Sequence, residues 1–182
     1  MSRIPYEEIP LIEEEIKIYK VGDEILREEA EEVKNIDGEL VEFVKKMFFT
    51  MYNNRGIGLA ANQVGLNKSF FIVDLTLNQE PGKKLVIINP VIVESEGEEI
   101  GEEGCLSVPG ITENVKRKER VLLKGISLEE KEIEIEATGL LARVFQHEID
   151  HLHGKLFIDY LSPIKKALLL KRLKKQRKQE GW

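Results

Sequence analysis

The stretch His147-Glu148-Ile149-Asp150-His151 carries the residue types best suited to chemistry in this chain. On a helix, at about 100° per residue, its two histidines lie about 40° apart around the axis, so both can reach one metal ion. Glu148 falls about 60° beyond His151 on the same flank, close enough to meet a water on that metal without binding the metal itself. This is the H-E-x-x-H pattern of metal hydrolases. The plainer alternative is a surface helix that happens to carry these histidines and acids.

The chain has three histidines, all between positions 147 and 153. His153 follows His151 by about 200° around a helix, so it faces away from the other two. It reads as a last-turn residue before a left-handed cap at Gly154. A catalytic metal usually takes three protein ligands plus water, so the third ligand is an acid or the only cysteine, Cys105. Cys105 lies in Glu103-Gly104-Cys105-Leu106-Ser107, flanked by Gly101, Pro109 and Gly110. Glycines leave the backbone free to bring a thiol close to a metal. A lone cysteine is more often a small core hydrophobe, but beside this helix Cys105 is the leading candidate.

Gly56-Ile57-Gly58-Leu59-Ala60-Ala61-Asn62-Gln63 has the spacing of a dinucleotide fingerprint in the wrong setting. A helix precedes it, and no βαβ unit surrounds it. One reading is a tight turn between a helix and a strand, closely packed through its small residues. The functional reading is that Gly56 and Gly58 let a substrate backbone lie against the turn, while Gln63 offers an amide donor to a developing oxyanion.

These groups need elements to hold them. With 182 residues and 42% hydrophobic content, the chain can bury one substantial core, and one domain is expected. Asp37 or Gly38 opens a helix whose Leu40, Phe43, Val44, Met47, Phe48 and Met51 fall on one buried face. Residues 69–74, 84–93, 115–123 and 131–137 read as strands, with Asn89-Pro90 interrupting the second. Thr138 is the expected N-cap of the histidine-bearing helix, which runs to about His153. Leu140, Leu141, Val144, Phe145, Ile149 and Leu152 cover much of its circumference, so it should be central. Ser162-Pro163 starts a last helix. Helices at both ends with short strands between them predict an α+β domain. Antiparallel or mixed sheets should pack around the central metal-binding helix, with a C-terminal helix outside. Residues 1–16 are acidic, hold two prolines, and are expected to form an extended arm.

A single cysteine excludes an intramolecular disulfide framework and suits a reducing compartment. The first residues have no apolar signal core, and no stretch approaches the roughly 20 apolar residues of a membrane span. A cytoplasmic protein without a membrane or DNA partner is expected. The net charge of −6 hides a segregation: residues 164–182 hold eight Lys or Arg and one Glu, a balance of +7, which leaves −13 on the rest. Such segregation suggests two different partners. The final helix is either amphipathic with a solvated basic face or a docking surface for RNA.

Taken together and in order, residues 56–63, Glu103-Gly104-Cys105-Leu106-Ser107 and Gln146-His147-Glu148-Ile149-Asp150-His151 resemble the three signature motifs of the peptide deformylases. The likeness runs from about Lys17 to the final helix. It implies removal of the formyl group from the N-terminal methionine of newly made bacterial proteins, with release of formate. It implies that Cys105, His147 and His151 bind the metal, that Glu148 is the general acid/base, and that Gln63 and the Leu106 N–H hold the oxyanion. The implied ion is Fe2+, with Zn2+, Ni2+ or Co2+ able to replace it. The formyl-methionyl peptide is expected to pair like an added strand with the segments around Gly58 and Gly104, and Ile57, Leu140 and Val144 to line its methionine pocket. Family members with a C-terminal helix are thought to meet the ribosome with it. Residues 1–182 then form one catalytic domain, with an acidic arm at 1–16 and a basic helix at 163–182.

The chain departs from the pattern in its longer arm and in Gly22-Asp23-Glu24-Ile25-Leu26-Arg27, where many members have Pro-Val in place of Glu-Ile. Gly110-Ile111-Thr112-Glu113 also lacks the arginine that some members place there to meet substrate. Two competing classes remain. A zincin-type endopeptidase takes a third histidine or glutamate downstream of the helix, where this chain offers only Glu180. A non-catalytic, metal-stabilised ribosome-binding module would need neither Glu148 nor Gln63.

Overall fold

The computed structural model describes residues 3–182. In chain order the elements are α1 (Gly38–Asn53), β1 (Gly58–Ala60), β2 (Phe70–Val73), β3 (Leu85–Glu96), β4 (Glu99–Cys105), β5 (Val108–Arg117), β6 (Arg120–Ile126), β7 (Glu132–Thr138), α2 (Gly139–Leu152) and α3 (Pro163–Glu180). Single 3₁₀ turns occur at Glu24–Arg27, Ala61–Val64 and Phe157–Tyr160. Strands β1-β2-β3-β6-β7 form one antiparallel sheet in that order, and β4 with β5 forms a separate two-stranded sheet.

Successive strand residues face opposite ways, and β2 is apolar at every position, so it needs cover on both faces. Phe70 and Ile72 pack into the cluster that holds Val44, Met47, Phe48 and Met51 of α1. Phe71 and Val73 pack into the one that holds Leu141, Ala142 and Phe145 of α2. The large sheet is therefore sandwiched between α1 and α2. Asp37 caps α1 by accepting the Leu40 N–H at 2.9 Å. A third cluster joins Val108, Ile111 and Val115 of β5 to Leu156 and Phe157 before α3 and to Leu173 within it. Helix α2 lies between the large sheet and the β4–β5 hairpin, so the histidine-bearing helix is central, as its sequence predicts.

The chain closes α2 tightly. His153 is its C-cap, and Gly154 follows at φ 71°. A Cβ there would lie 2.6 Å from the Arg27 carbonyl oxygen, so only glycine fits. Thr138 occupies the N-cap position but makes no side-chain cap bond.

Two expectations change. Residues 115–123 are not one strand: β5 ends at Arg117 and β6 starts at Arg120, and the chain passes from the small sheet to the large one at Lys118 and Glu119. Both strands bury one face, so the apolar pattern shows no break. Residues 99–114, which fall outside every expected strand, are not irregular. They make the β4–β5 hairpin, whose register shifts between Gly104 and Cys105. Asn89-Pro90, by contrast, only shifts the register of β3, which continues to Glu96.

Residues 3–16 form no helix and no strand. Ile9 is buried, Leu11 and Ile16 lean on the α1 core, and Glu7 bridges Lys84. Among the described residues, no helix is long and apolar enough to cross a membrane.

Candidate metal centre

Helix α2 places His147 and His151 one turn apart, with their Nε2 atoms at 3.2 Å. The bulge at the end of β4 brings the Cys105 Sγ to 3.3 Å from His151 Nε2. All three ligand atoms lie within 4.8 Å of one another. Tetrahedral ligands about 2.0–2.3 Å from a zinc-sized ion stand roughly 3.3–3.6 Å apart, so these spacings fit one shared ion. His153 is exposed and bonded to Glu29 at 2.6 Å, clear of the cluster.

The electrostatics also favour a cation. Burial opposes an imidazolium at His147, yet hydrogen bonds to Cys105 and Glu103 carry its pKa well above the ordinary value. Burial, followed by the charge of His147, pushes His151 well below it. One positive charge is thus favoured among these atoms, and a second proton is not. A divalent ion held by a thiolate and two neutral imidazoles meets the same demand.

Glu103 sets the orientation of His147. Its carboxylate meets His147 Nδ1 at 2.8 Å and accepts from Arg117 Nε at 2.8 Å, Arg117 Nη2 at 2.9 Å and Arg143 Nη1 at 2.8 Å. Burial works against its charge, but the bonds to Arg117 and His147 outweigh that and hold its pKa at about 2. An ionised Glu103 holds a proton on Nδ1, so the neutral imidazole that would bind a metal turns its Nε2 lone pair toward the cluster. Arg117 then donates to Asp150 at 2.5 Å, which also accepts from Tyr160 OH at 2.7 Å. Asp150 therefore braces the helix. Arg143 reaches the carbonyls of Val115 at 2.8 Å and Glu99 at 3.0 Å, tying α2 to both strands of the hairpin.

Gln63 sits in the 3₁₀ turn after β1. Its Oε1 accepts the Ala60 N–H at 2.9 Å, which points Nε2 at Ser107 Oγ (3.0 Å) and at the Cys105 sulfur (3.4 Å). Ser107 passes the chain on by donating to the Tyr19 carbonyl at 2.7 Å. Neighbouring Asn62 donates to the His151 carbonyl at 2.6 Å, fastening this turn to α2.

Glu148 is buried, and its Oε2 has no hydrogen-bond partner among the described residues. Burial is the main cause that lifts its pKa to about 7, with the Glu103 charge adding to it. A Cβ on Gly58 would lie 2.7 Å from Glu148 Oε1 and 2.9 Å from Val144 Cγ1. Gly58 thus makes room for the acid as much as for any substrate.

A cavity of about 460 Å³ opens over the cluster. It is lined by every residue expected to touch substrate, namely Ile57, Gly58, Gly104, Leu140 and Val144, together with Gln63, Leu106, Glu148, Cys105 and His147. His151 lies beneath it, and Leu140 stands exposed at its mouth. A larger recess of about 780 Å³, between residues 31–43 and Leu66, has none of these groups. No local pattern points to Ser107, Arg117 or Arg143, whose partners lie far away in the chain. Only a charge placed inside an otherwise apolar helix, Arg143, marked one of them.

A family model described as polypeptide deformylase matches residues 16–167. A peptide deformylase from Thermodesulfovibrio yellowstonii is 52% identical over 159 residues, covering 87% of this chain and 96% of that one. The structure of a peptide deformylase from Legionella pneumophila aligns with a TM-score of 0.87 at 42% identity, over 92% of this chain and 98% of that one. That of the peptide deformylase from Ehrlichia chaffeensis in complex with actinonin aligns with a TM-score of 0.83 at 37% identity, over 89% and 97% of the two chains.

Proposed function

The chain belongs to the polypeptide deformylase family, and on that premise we propose how its residues share the hydrolysis of an N-terminal formyl group. The observation that carries this reading is the Cys105, His147 and His151 cluster with the partnerless Glu148 oxygen beside it. These three ligands would hold Fe2+, which Zn2+, Ni2+ or Co2+ could replace. When bound, the ion supplies Lewis acidity and makes hydroxide available near neutral pH. Glu148 takes up the proton released as oxygen attacks the formyl carbon, then returns it to the nitrogen as the C–N bond breaks. A carboxyl lifted to about 7 by burial suits both transfers. Gln63 Nε2 and the Leu106 N–H hold the negative charge that builds on the formyl oxygen. Formate and a free amino terminus leave.

Strands β1 and β4 each pair on one side only, β1 with β2 and β4 with β5. An extended peptide can add to these edges near Gly58 and Gly104, with its methionine side chain among Ile57, Leu140 and Val144. Actinonin, bound by the Ehrlichia relative, should compete for this cavity. Residues 1–182 act in this reading as one catalytic unit, with the arm at 1–16 and the basic helix at 163–182 as additions.

The basic helix offers a finer partner. Lys165, Lys166 and Arg177 are tied to Glu113, Asp159 and Asp23. Lys171, Arg172, Lys174, Lys175 and Lys178 make no salt bridge among the described residues, and at about 100° per residue they spread over the side opposite buried Leu173. Such a face suits ribosomal RNA beside emerging chains, which would place the enzyme in the cytoplasm.

The deciding assay compares formate release from formyl-Met-Ala-Ser with cleavage of an internal peptide bond, using anaerobically purified enzyme of measured metal content. Formate without internal cleavage is expected. Internal cleavage, or metal-loaded enzyme that releases no formate, would overturn the reading.

A further inference from the structure

The rim of the cavity holds a cation in a strained place. Arg55 follows the Asn54 C-cap of α1 and takes φ 57°, while the Gly56 N–H returns to the Met51 carbonyl at 2.9 Å. Glycine or asparagine usually takes this left-handed position, because a Cβ crowds the backbone there. Packing does not account for the arginine. Its side chain is exposed and makes no ion pair among the described residues, yet it lines the cavity. Glu102 of β4, also exposed and without an ion pair among the described residues, lines the cavity from the other sheet. The other titratable groups in the wall differ: Glu103 and Arg143 are bonded to each other, and His147 and Glu148 belong to the cluster beneath.

We propose that Arg55 selects substrates carrying a carboxylate just beyond the formyl-methionine, an inference that rests on the deformylase reading of this cavity. An extended peptide advances about 3.3 Å per residue, so its second and third residues pass the rim when the formyl group lies over Cys105. A guanidinium meets a carboxylate with two parallel N–H donors. The carboxylate can belong to an aspartate or glutamate side chain, or to the end of a short peptide. Glu102 repels it from the β4 side and so favours the Arg55 side.

The test measures kcat/KM for formate release at low and high salt from four peptides: the amides of formyl-Met-Ala-Ser, formyl-Met-Asp-Ser and formyl-Met-Ala-Asp, and the free acid of formyl-Met-Ala-Ser. The wild-type enzyme should prefer at least one carboxylate-bearing peptide over the neutral amide by about three- to five-fold at low salt. High salt should shrink that ratio. Preference for the aspartyl amides assigns a side-chain carboxylate, and preference for the free acid assigns a terminal one. Arg55→Gln should bring the ratio to about one. Arg55→Gly should do the same while raising Tm, since it relieves the left-handed strain. Formate from the neutral amide with no carboxylate preference, or a preference that survives in Arg55→Gly, overturns the proposal alone. No formate from any peptide overturns the deformylase reading and this proposal with it.

Discussion

At the scale of single residues, the site depends on which atoms are left without partners. Glu148 Oε2 is buried and unbonded among the described residues, whereas both oxygens of Glu103 are saturated. Two carboxylates on neighbouring elements therefore take opposite pKa values, about 7 and about 2, and only the first can exchange protons near neutrality. Glu148→Ala should keep its metal by elemental analysis while formate release becomes negligible; near-normal turnover would remove Glu148 from the mechanism. Gly58→Ala makes a sharper demand, because the added methyl must displace the Glu148 carboxylate or Val144. Displacing a catalytic group by about 1 Å can cost on the order of 10²-fold, so kcat should fall by that order with metal content intact. An unchanged kcat would show that the acid has slack. The juxtaposition of His147 and His151 was legible because helical periodicity is local, and Cys105 as their candidate partner because it is the only cysteine. Arg117 and Ser107 were not, since nothing local connects residue 117 to 103 and 150, or 107 to 19 and 63.

At the scale of elements, the expected helices appear, α1 and α3 with the side-chain caps Asp37 and Ser162 and α2 without one from Thr138, because capping and amphipathic spacing are written within a few residues. The small sheet was harder to see. Strand β4 is rich in glycine and glutamate, which carry little strand signal, and it becomes a strand through pairing with β5 and the grip of Arg143 on both. The passage from β5 to β6 was hidden for a related reason, since alternation records burial and not which sheet does the burying. Helix α3 lends itself to a direct test. Reversing the free cations, as Lys171→Glu, Lys175→Glu and Lys178→Glu together, leaves Leu173 and Arg177 in place. It should lower ribosome co-sedimentation several-fold at low salt while formate release from a free peptide is retained. Equal co-sedimentation of the triple variant would leave this face as a solvated surface.

At the scale of the whole molecule, Asp159 joins three separate parts of the chain. It accepts from Arg27 at 2.6 Å, from the Leu156 N–H at 3.0 Å and from Lys166 of α3 at 2.8 Å. Burial opposes its charge, but these bonds prevail and lower its pKa from 3.8 to about 2. A depressed carboxylate stabilises the fold fully above its ordinary value and loses that contribution as pH falls through its folded value. Urea midpoints of the wild type should therefore drop between about pH 4 and pH 2, and Asp159→Asn should start lower and show a shallower decline. Parallel slopes would assign the acid sensitivity to other carboxylates. The open edges of β1 and β4 bear on a different property, resistance to clumping. Unpaired strand edges invite other copies of a protein to add on. Here β4 bulges at its end, and β1, the edge that holds Gly58, is only three residues long. A second folded copy would gain only a few backbone bonds from so short a ladder. A peptide that also fills the cavity gains more, and this brevity keeps the edge for guests that bring the right side chain.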